Sequence, residues 1–329
     1  MRTELKIADD NSIKEAAEII KSGRLVAFPT ETVYGLGANA LDETAARKIF
    51  EAKGRPSDNP LIVHVSDAKM LSDIVQKAPE TAYKLIEKFW PGPLTIIFKK
   101  KPIIPDFVSG GLDTLGVRMP DNDLAIRLIK EAETPIAAPS ANISGKPSPT
   151  SARHVMADLN GKIDMILDGG KTTVGLESTI IDLSAEHATL LRPGAITAEM
   201  IEEAIGSILI STELLKSDDI PKAPGMKYKH YAPKAKLSIV KSSDVSKVID
   251  FIICQKSAVI APKAHLNQYE TAGLKSYELN AENLFDILRK IDDDKIEEAY
   301  VHYIEETGIG LAIMNRLKKA ADNSIIDLD

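Results

Sequence analysis

The sequence predicts an α/β protein in two parts: a twisted, partly mixed sheet with helices, followed by a smaller doubly wound parallel sheet. Three observations carry this reading. Apolar runs of strand length alternate with segments of helical period, and strands outnumber helices in the first two hundred residues. The alternation lapses between about residues 211 and 236, then resumes to the end of the chain. A length of 329 residues with 44% hydrophobic composition suffices for about two buried cores. Aromatic residues make up only 5%, so those cores are aliphatic.

The elements follow in order. Ile13, Ala16, Ala17 and Ile20 recur at helical spacing, and Gly23 stands where a C-terminal cap belongs. "RLVAFP" reads as a buried strand, "ETAARKIFEAK" as a helix, "LIVHV" as a strand and "APETAYKLIEKFW" as a helix closing at Pro91. Further strands are expected at "LTIIF", "LGVRM", "TPIAA", "IDMILD", "STIIDL" and "ATLLRPG". After "AITAEMIEEAIGS" comes the Pro- and Gly-punctuated "KAPGMKYKHYAPKAK". The tail then alternates "LSIV", "DVSKVIDFIICQ", "SAVIA", "ENLFDILRKI", "EEAYVHYI" and "IGLAIMNRLKKAA", the pattern of a small parallel sheet. The expected division is 10–198, a linker at 199–236, and 237–329. Met226, Tyr228, His230 and Tyr231, set among cations and prolines, make the linker read as a lid over a nucleotide.

Composition and motif spacing exclude several classes of function. A net charge of −7 argues against a standing nucleic-acid clamp, although a local basic patch is compatible with it. A single cysteine suits a reducing cytosol, the first twenty residues lack an unbroken apolar core, and no later run approaches a membrane span. A cytoplasmic protein with no membrane partner is expected. "GGKTT" at 169–173 suggests a P-loop, but Met165 stands five before Gly170 where the cradle needs glycine. "GLGANA" at 35–40 matches a dinucleotide pattern yet is cut off from its strand by "TETVY". The six histidines form no i, i+4 pair and no cysteine cluster stands near them, so no protein metal site is expected. There is no G-x-S-x-G elbow, and Cys254 in an apolar helix reads as an inert buried thiol.

What remains is a set of polar stretches at strand ends, where open α/β sheets bind ligands. They are "PTETVYGLG" (29–37), "KGRPSDNPL" (53–61), "TLGVRMP" (114–120), "APSANISGKPSPT" (138–150), "GLESTII" and "LLRPG". Lys53-x-Arg55 pairs a point charge with a bidentate fork, a combination that neutralises a polyphosphate without a P-loop. Ser140-x-Asn142 places a hydroxyl and an amide on one side of an extended segment. Arg118, between Val117 and Met119, needs a partner if it is buried. Together these stretches point to a nucleotide and a small zwitterion.

On these motifs, with "PGPLT", "LRPGAIT" and the two-domain tail, the chain resembles the YrdC-type L-threonylcarbamoyladenylate synthases in their long form. The resemblance covers nearly the whole chain, most densely residues 25–195. It implies a YrdC-like first domain, a Rossmann-like second one, and the condensation of L-threonine, bicarbonate and ATP with release of pyrophosphate. It further implies that Thr32, His64, Arg118, Ala138 and Ser178 hold threonine. Arg55, Asn59, Thr114, Ser140, Ser148, Arg192 and Tyr231 would hold ATP, and Lys53, Arg55, Ser140 and Asn142 would act in catalysis. Ala138 stands where many relatives carry threonine, leaving its main chain to serve the substrate. Mg²⁺ is expected on the polyphosphate. The product would pass to a separate transferase complex that modifies tRNAs reading ANN codons. The competing reading is a double-stranded-RNA-binding module, which needs basic stripes and tolerates any residue at Ser140, Asn142 and Ser178.

Overall fold

The structure, a computed structural model, describes residues 2–56, 58–211 and 230–329. It divides into two compact units, Met1–Ser144 with Ser148–Tyr228, and Gly145–Pro147 with Lys229–Asp329. Residues 212–229, including Met226, Tyr228 and most of the expected lid, lie outside the described residues.

The strands of the first unit are β1 (Glu4–Ile7), β2 (Val26–Phe28), β3 (Gly35–Asn39), β4 (Ile62–His64), β5 (Leu94–Lys99), β6 (Thr114–Arg118), β7 (Ile136–Ala137), β8 (Met165–Asp168), β9 (Thr179–Asp182), β10 (Thr189–Arg192) and β11 (Leu209–Ile210). They form one mixed sheet in the order β1-β8-β2-β3-β7-β4-β6-β5-β9-β10-β11. Its helices are α1 (Asp10–Lys21), α2 (Glu43–Lys53), α3 (Ala68–Ile74), α4 (Glu80–Phe89), α5 (Asp123–Ala132), α6 (Ala152–Leu159) and α7 (Ala198–Ile205). The second unit holds β12 (Lys236–Lys241), β13 (Ala258–Pro262), β14 (Ser276–Leu279), β15 (Glu298–His302) and β16 (Ile325–Asp327), with α8 (Val245–Gln255), α9 (Lys263–Thr271), α10 (Leu284–Asp293) and α11 (Ile309–Ala320). Its sheet, β14-β13-β15-β12-β16, is parallel at every pairing, as the alternation of the tail predicts.

Local chemistry sets the element that matters most for the site. The Asp42 side chain accepts from the N–H groups of Thr44 and Ala45, opening α2. Ala45, Ala46, Ile49 and Phe50 give it a buried stripe, and Gly54, at φ 60, ends it in the left-handed conformation that glycine adopts without strain. Lys53 is therefore the last helical residue, and Arg55 the first cation of the loop beyond.

Side-chain alternation divides the large sheet into two faces. One face (Ala27, Leu36, Val63, Ile96, Val117, Ile181) packs with residues of α2, α3, α4, α6 and α7 into the main core. On the opposite face Val26, Phe28, Ile136, Met165 and Leu167 pack under α1 and α5. Farther along that face, the apolar cluster is small: Ile62, Ile97 and Ile180, with Leu191 against them. On this lightly covered stretch of β4, β6, β5, β9 and β10 stand His64, Thr114, Arg118 and Arg192.

The structure adds elements absent from the sequence reading: β1, α3, α5, α6 and β11, and in the second unit α9, β14 and β16. Two expectations are corrected. "GLGANA" contributes a strand, β3, rather than a polar loop leaving β2. Cys254 is exposed, because it lies in the last turn of α8 away from the buried Val248 and Ile252.

Candidate active site

Thr114, Gly116 and Arg118 share one face of β6 by the period of two. The parallel register sets His64 beside Arg118 and Ile62 beside Gly116, and β5 sets Ile97 opposite Gly116. Thr95 of β5 pairs with Ile180 of β9, which pairs in turn with Arg192 of β10. His64, Thr114, Arg118 and Arg192 thus lie on the face of the Ile62–Ile97–Ile180 cluster. Ala138, just past β7, joins them by donating its N–H to the Ile62 carbonyl at 2.9 Å.

At the centre of this face Arg118 is 4% exposed and carries the partners that its burial demands. Its Nε donates to the Gly92 carbonyl at 3.2 Å and its Nη1 to Thr32 Oγ1 at 2.9 Å. Its Nη2 meets Glu31 Oε2 in an ion pair whose alignment falls short of a hydrogen bond. The loop that brings Glu31 and Thr32 here is tightly held. Thr30 Oγ1 lies 2.8 Å from Thr32 Oγ1 and donates to the Val33 carbonyl, while the N–H groups of Thr173 and Val174 both donate to the Glu31 carbonyl. The "GGKTT" segment therefore serves this loop from behind, and Tyr34 Oη donates to the Gly170 carbonyl beside it.

His64 is buried next to that guanidinium. Desolvation, then the Arg118 charge, holds its pKa down at about 3, so the imidazole is neutral at physiological pH. Its Nδ1 is buried without a hydrogen-bond partner.

The two paired motifs meet each other. Lys53, 2% exposed, reaches across to the carbonyl oxygens of Ser140 and Asn142, the latter at 2.6 Å, and to Asn142 Oδ1 at 3.5 Å. Burial, and next the Arg55 charge, push this amine well below the usual lysine range. Ser140 Oγ donates to Asn142 Oδ1 at 2.6 Å, so hydroxyl and amide do face one side. Arg55 is half-buried and its Nη2 donates to the carbonyls of Asn59 and Pro60 at 3.3 and 3.2 Å. Asn59 keeps a buried Oδ1 with no hydrogen-bond partner.

Ser178 and Arg192 also come together: Arg192 donates through Nε to the Ser178 carbonyl and through Nη2 to its hydroxyl, which lies 2.7 Å from Thr95 Oγ1. Ser148 donates to Glu177 Oε1 at 2.6 Å, both side chains buried. Thr114 is half-buried at the other end of β6 from Arg118. Tyr231 belongs to the second unit, where its ring lies 5.2 Å from that of Phe285. Glu31, Thr95 and Glu177 escaped the sequence reading. For Glu31 and Glu177 a signal existed: each is the single acid in an otherwise uncharged strand-end motif.

Residues 18–194 match the family described as "Telomere recombination", and residues 196–322 match "Threonylcarbamoyl-AMP synthase, C-terminal domain". The chain is 49% identical to the threonylcarbamoyl-AMP synthase of Pyrococcus abyssi, over 95% of each chain. This chain belongs to the threonylcarbamoyl-AMP synthase family. The threonylcarbamoyl-AMP synthase of Bacillus subtilis is 46% identical, covering 97% of this chain and 95% of its own. A crystal structure of P. abyssi Sua5 complexed with L-threonine superposes with a TM-score of 0.89 at 45% identity, covering 100% of this chain and 99% of that one. The expected α/β architecture with its second, parallel-sheet domain is that of this synthase family. No helix among the described residues is long and apolar enough to cross a membrane.

Proposed function

We propose that the chain condenses L-threonine, bicarbonate and ATP into threonylcarbamoyl-AMP and pyrophosphate. The observation that carries the reading is the buried Arg118, flanked by Thr32 and an uncharged His64, on the same sheet face as the Ser178–Arg192 pair. A threonine complex of a chain 45% identical over its full length supports the amino-acid half of it.

Threonine's carboxylate is assigned to Arg118, and its side chain and amine to Thr32, His64, Ser178 and the main chain of Ala138. The neutral His64 offers Nδ1 as an acceptor without adding a second positive charge beside the guanidinium. ATP is assigned to Arg55, Asn59, Thr114, Ser140, Ser148, Arg192 and Tyr231. The threonine amine and bicarbonate give a carbamate and water; a carbamate oxygen then attacks the α-phosphorus as the bond to pyrophosphate breaks. Negative charge grows on the departing bridging oxygen, and a fixed cation such as Arg55 lowers that barrier. Lys53 is assigned a positioning role: it holds the Ser140 and Asn142 carbonyls and so sets the S-x-N loop against the nucleotide.

Mg²⁺ belongs here as the cation of the triphosphate. Among the described residues no group of three His, Cys, Asp or Glu side chains is placed to hold an ion. A divalent ion would ride on the phosphates and neutralise their charge. The product's consumer would be a transferase complex acting on tRNAs that read ANN codons.

The decisive experiment is incorporation of labelled bicarbonate into an adenylate, dependent on both ATP and threonine. Failure of either dependence refutes the assignment. Salt-sensitive RNA binding that ignores ATP would favour the RNA-binding module instead.

A further inference from the structure

Every nitrogen of the Arg118 guanidinium already faces a partner, so an incoming carboxylate meets it in competition. Nε is on the Gly92 carbonyl, Nη1 on Thr32, and Nη2 faces Glu31. A carboxylate that takes a two-pronged hold through Nη2 competes there with Glu31, itself only 5% exposed, and sets two negative charges on one guanidinium. The backbone that carries Glu31 is fixed beside the guanidinium. Its main-chain carbonyl is clamped by the N–H groups of Thr173 and Val174, and the Thr30 and Thr32 hydroxyls fix the turn around it. Its Oε1 already lacks a hydrogen-bond partner. An unpaired buried carboxylate is strongly disfavoured, so displacement by an anion alone would stall.

We propose that Glu31 is the counter-charge for the substrate's ammonium, and that an amino acid enters by exchanging ion pairs. The Arg118–Glu31 pair opens, Arg118 takes the incoming carboxylate, and Glu31 takes the incoming α-ammonium. No charge in the pocket is left uncompensated either before or after binding. Selection for a zwitterion follows without any contact to the side chain: a 2-hydroxy acid leaves Glu31 bare, and an amino-acid amide, which keeps the ammonium but has no carboxylate, leaves Arg118 bare if it takes Glu31 and should bind as weakly as the hydroxy acid. The inference rests on the proposed reading that Arg118 receives the carboxylate.

Calorimetric titration of the full chain without ATP tests it, using L-threonine, the 2,3-dihydroxybutanoate in which a hydroxyl replaces the ammonium, and L-threoninamide. The wild-type chain should prefer threonine to the dihydroxy acid by more than about a hundredfold, since the analogue leaves a buried charge unmatched. Glu31→Gln should weaken threonine by at least about tenfold while bringing the dihydroxy acid to within about threefold of it, because a neutral residue asks for no ammonium. Glu31→Asp, which keeps the charge, should keep the preference. The wild-type ligand series stands by itself if Glu31→Gln does not fold. Equal affinity of the wild type for threonine and the dihydroxy acid would overturn the inference, as would equal loss of both in Glu31→Gln with the preference intact. That second pattern would mean that Glu31 only steadies Arg118. Threonine binding untouched by Arg118→Gln would overturn the reading of the site and the inference with it.

Discussion

His64 refuses a proton down to about pH 3, whereas the same residue in an unfolded chain titrates near 6.5. Between those values the unfolded state binds a proton that the native state does not, so acidification removes stability. The slope is about 1.4 kcal/mol per pH unit for one group, beginning as pH falls through about 6.5 and ending near 3. Replacing His64 by Gln should flatten the pH dependence of urea unfolding between pH 6.5 and 4; an unchanged slope would show that another group carries it. Arg55 makes a catalytic prediction. If it faces the leaving phosphates, Arg55→Ala should lower kcat/KM about a hundredfold, about 3 kcal/mol, and Lys at that position should recover little because it lacks the planar fork. Near-wild-type turnover would remove Arg55 from the assignment. At this scale the sequence was informative about residue types but not about partners. That Arg118 must be paired follows from its apolar neighbours. That the partner is Glu31, 87 positions away, depends on a loop held by residues 173 and 174, which no local pattern encodes.

Helices and strands differed in how visibly their causes lie along the chain. The α2 boundaries were readable because Asp42, an apolar stripe and Gly54 supply start, body and stop within a few residues. Helix α5 has the same kind of stripe in Ala125, Leu128, Ile129 and Ala132, with Asn122 capping it, so its signal was present although unread. β3 is a different matter. Its glycines have low strand propensity, and they pair because the neighbours leave no room: a Cβ on Gly37 would lie 2.8 Å from the Phe28 ring and 2.9 Å from Ile136 Cγ2. β1 and β11 are short, largely exposed edge strands with little apolar alternation. The turn from β10 into α7 carries a testable case of close approach. A Cβ on Gly194 would fall 2.5 Å from the Thr179 nitrogen and 2.7 Å from its hydroxyl. Gly194→Ala must push back the start of β9, next to Ser178, so it should destabilise by about 1–3 kcal/mol and weaken threonine binding together with it. Chemical denaturation alongside threonine titration reads both. Loss of neither would mean that the turn yields cheaply.

The molecule as a whole has separate apolar clusters in its two units, Ile49, Leu85 and Val117 among those of the first and Val248, Ile252 and Tyr269 among those of the second. Calorimetric unfolding should therefore show two transitions, of which threonine raises only the first unit's. At a concentration a hundred times its dissociation constant the gain is about 2.7 kcal/mol. An equal shift of both transitions would place threonine binding on the second unit as well. Because Tyr231 is assigned to ATP yet belongs to the second unit, residues 1–210 alone should fold but form little product; full synthase activity from that fragment would dismiss Tyr231 from the site. The long reach of the contacts has one more consequence, for a chain still being made. Lys53 bonds to carbonyls 87 and 89 residues later, and Ser178 waits for Arg192 at the end of β10. On the ribosome, the Lys53 contacts wait for residue 142 and the Ser178–Arg192 pair for residue 192. A synthesis that stops short of β10 leaves a fragment in which neither the Ser178 carbonyl nor its hydroxyl has Arg192 against it. If Arg192 serves ATP as proposed, interrupted translation should yield no partial enzyme that releases a labile anhydride, and a chain ending before residue 189, assayed for product, checks it.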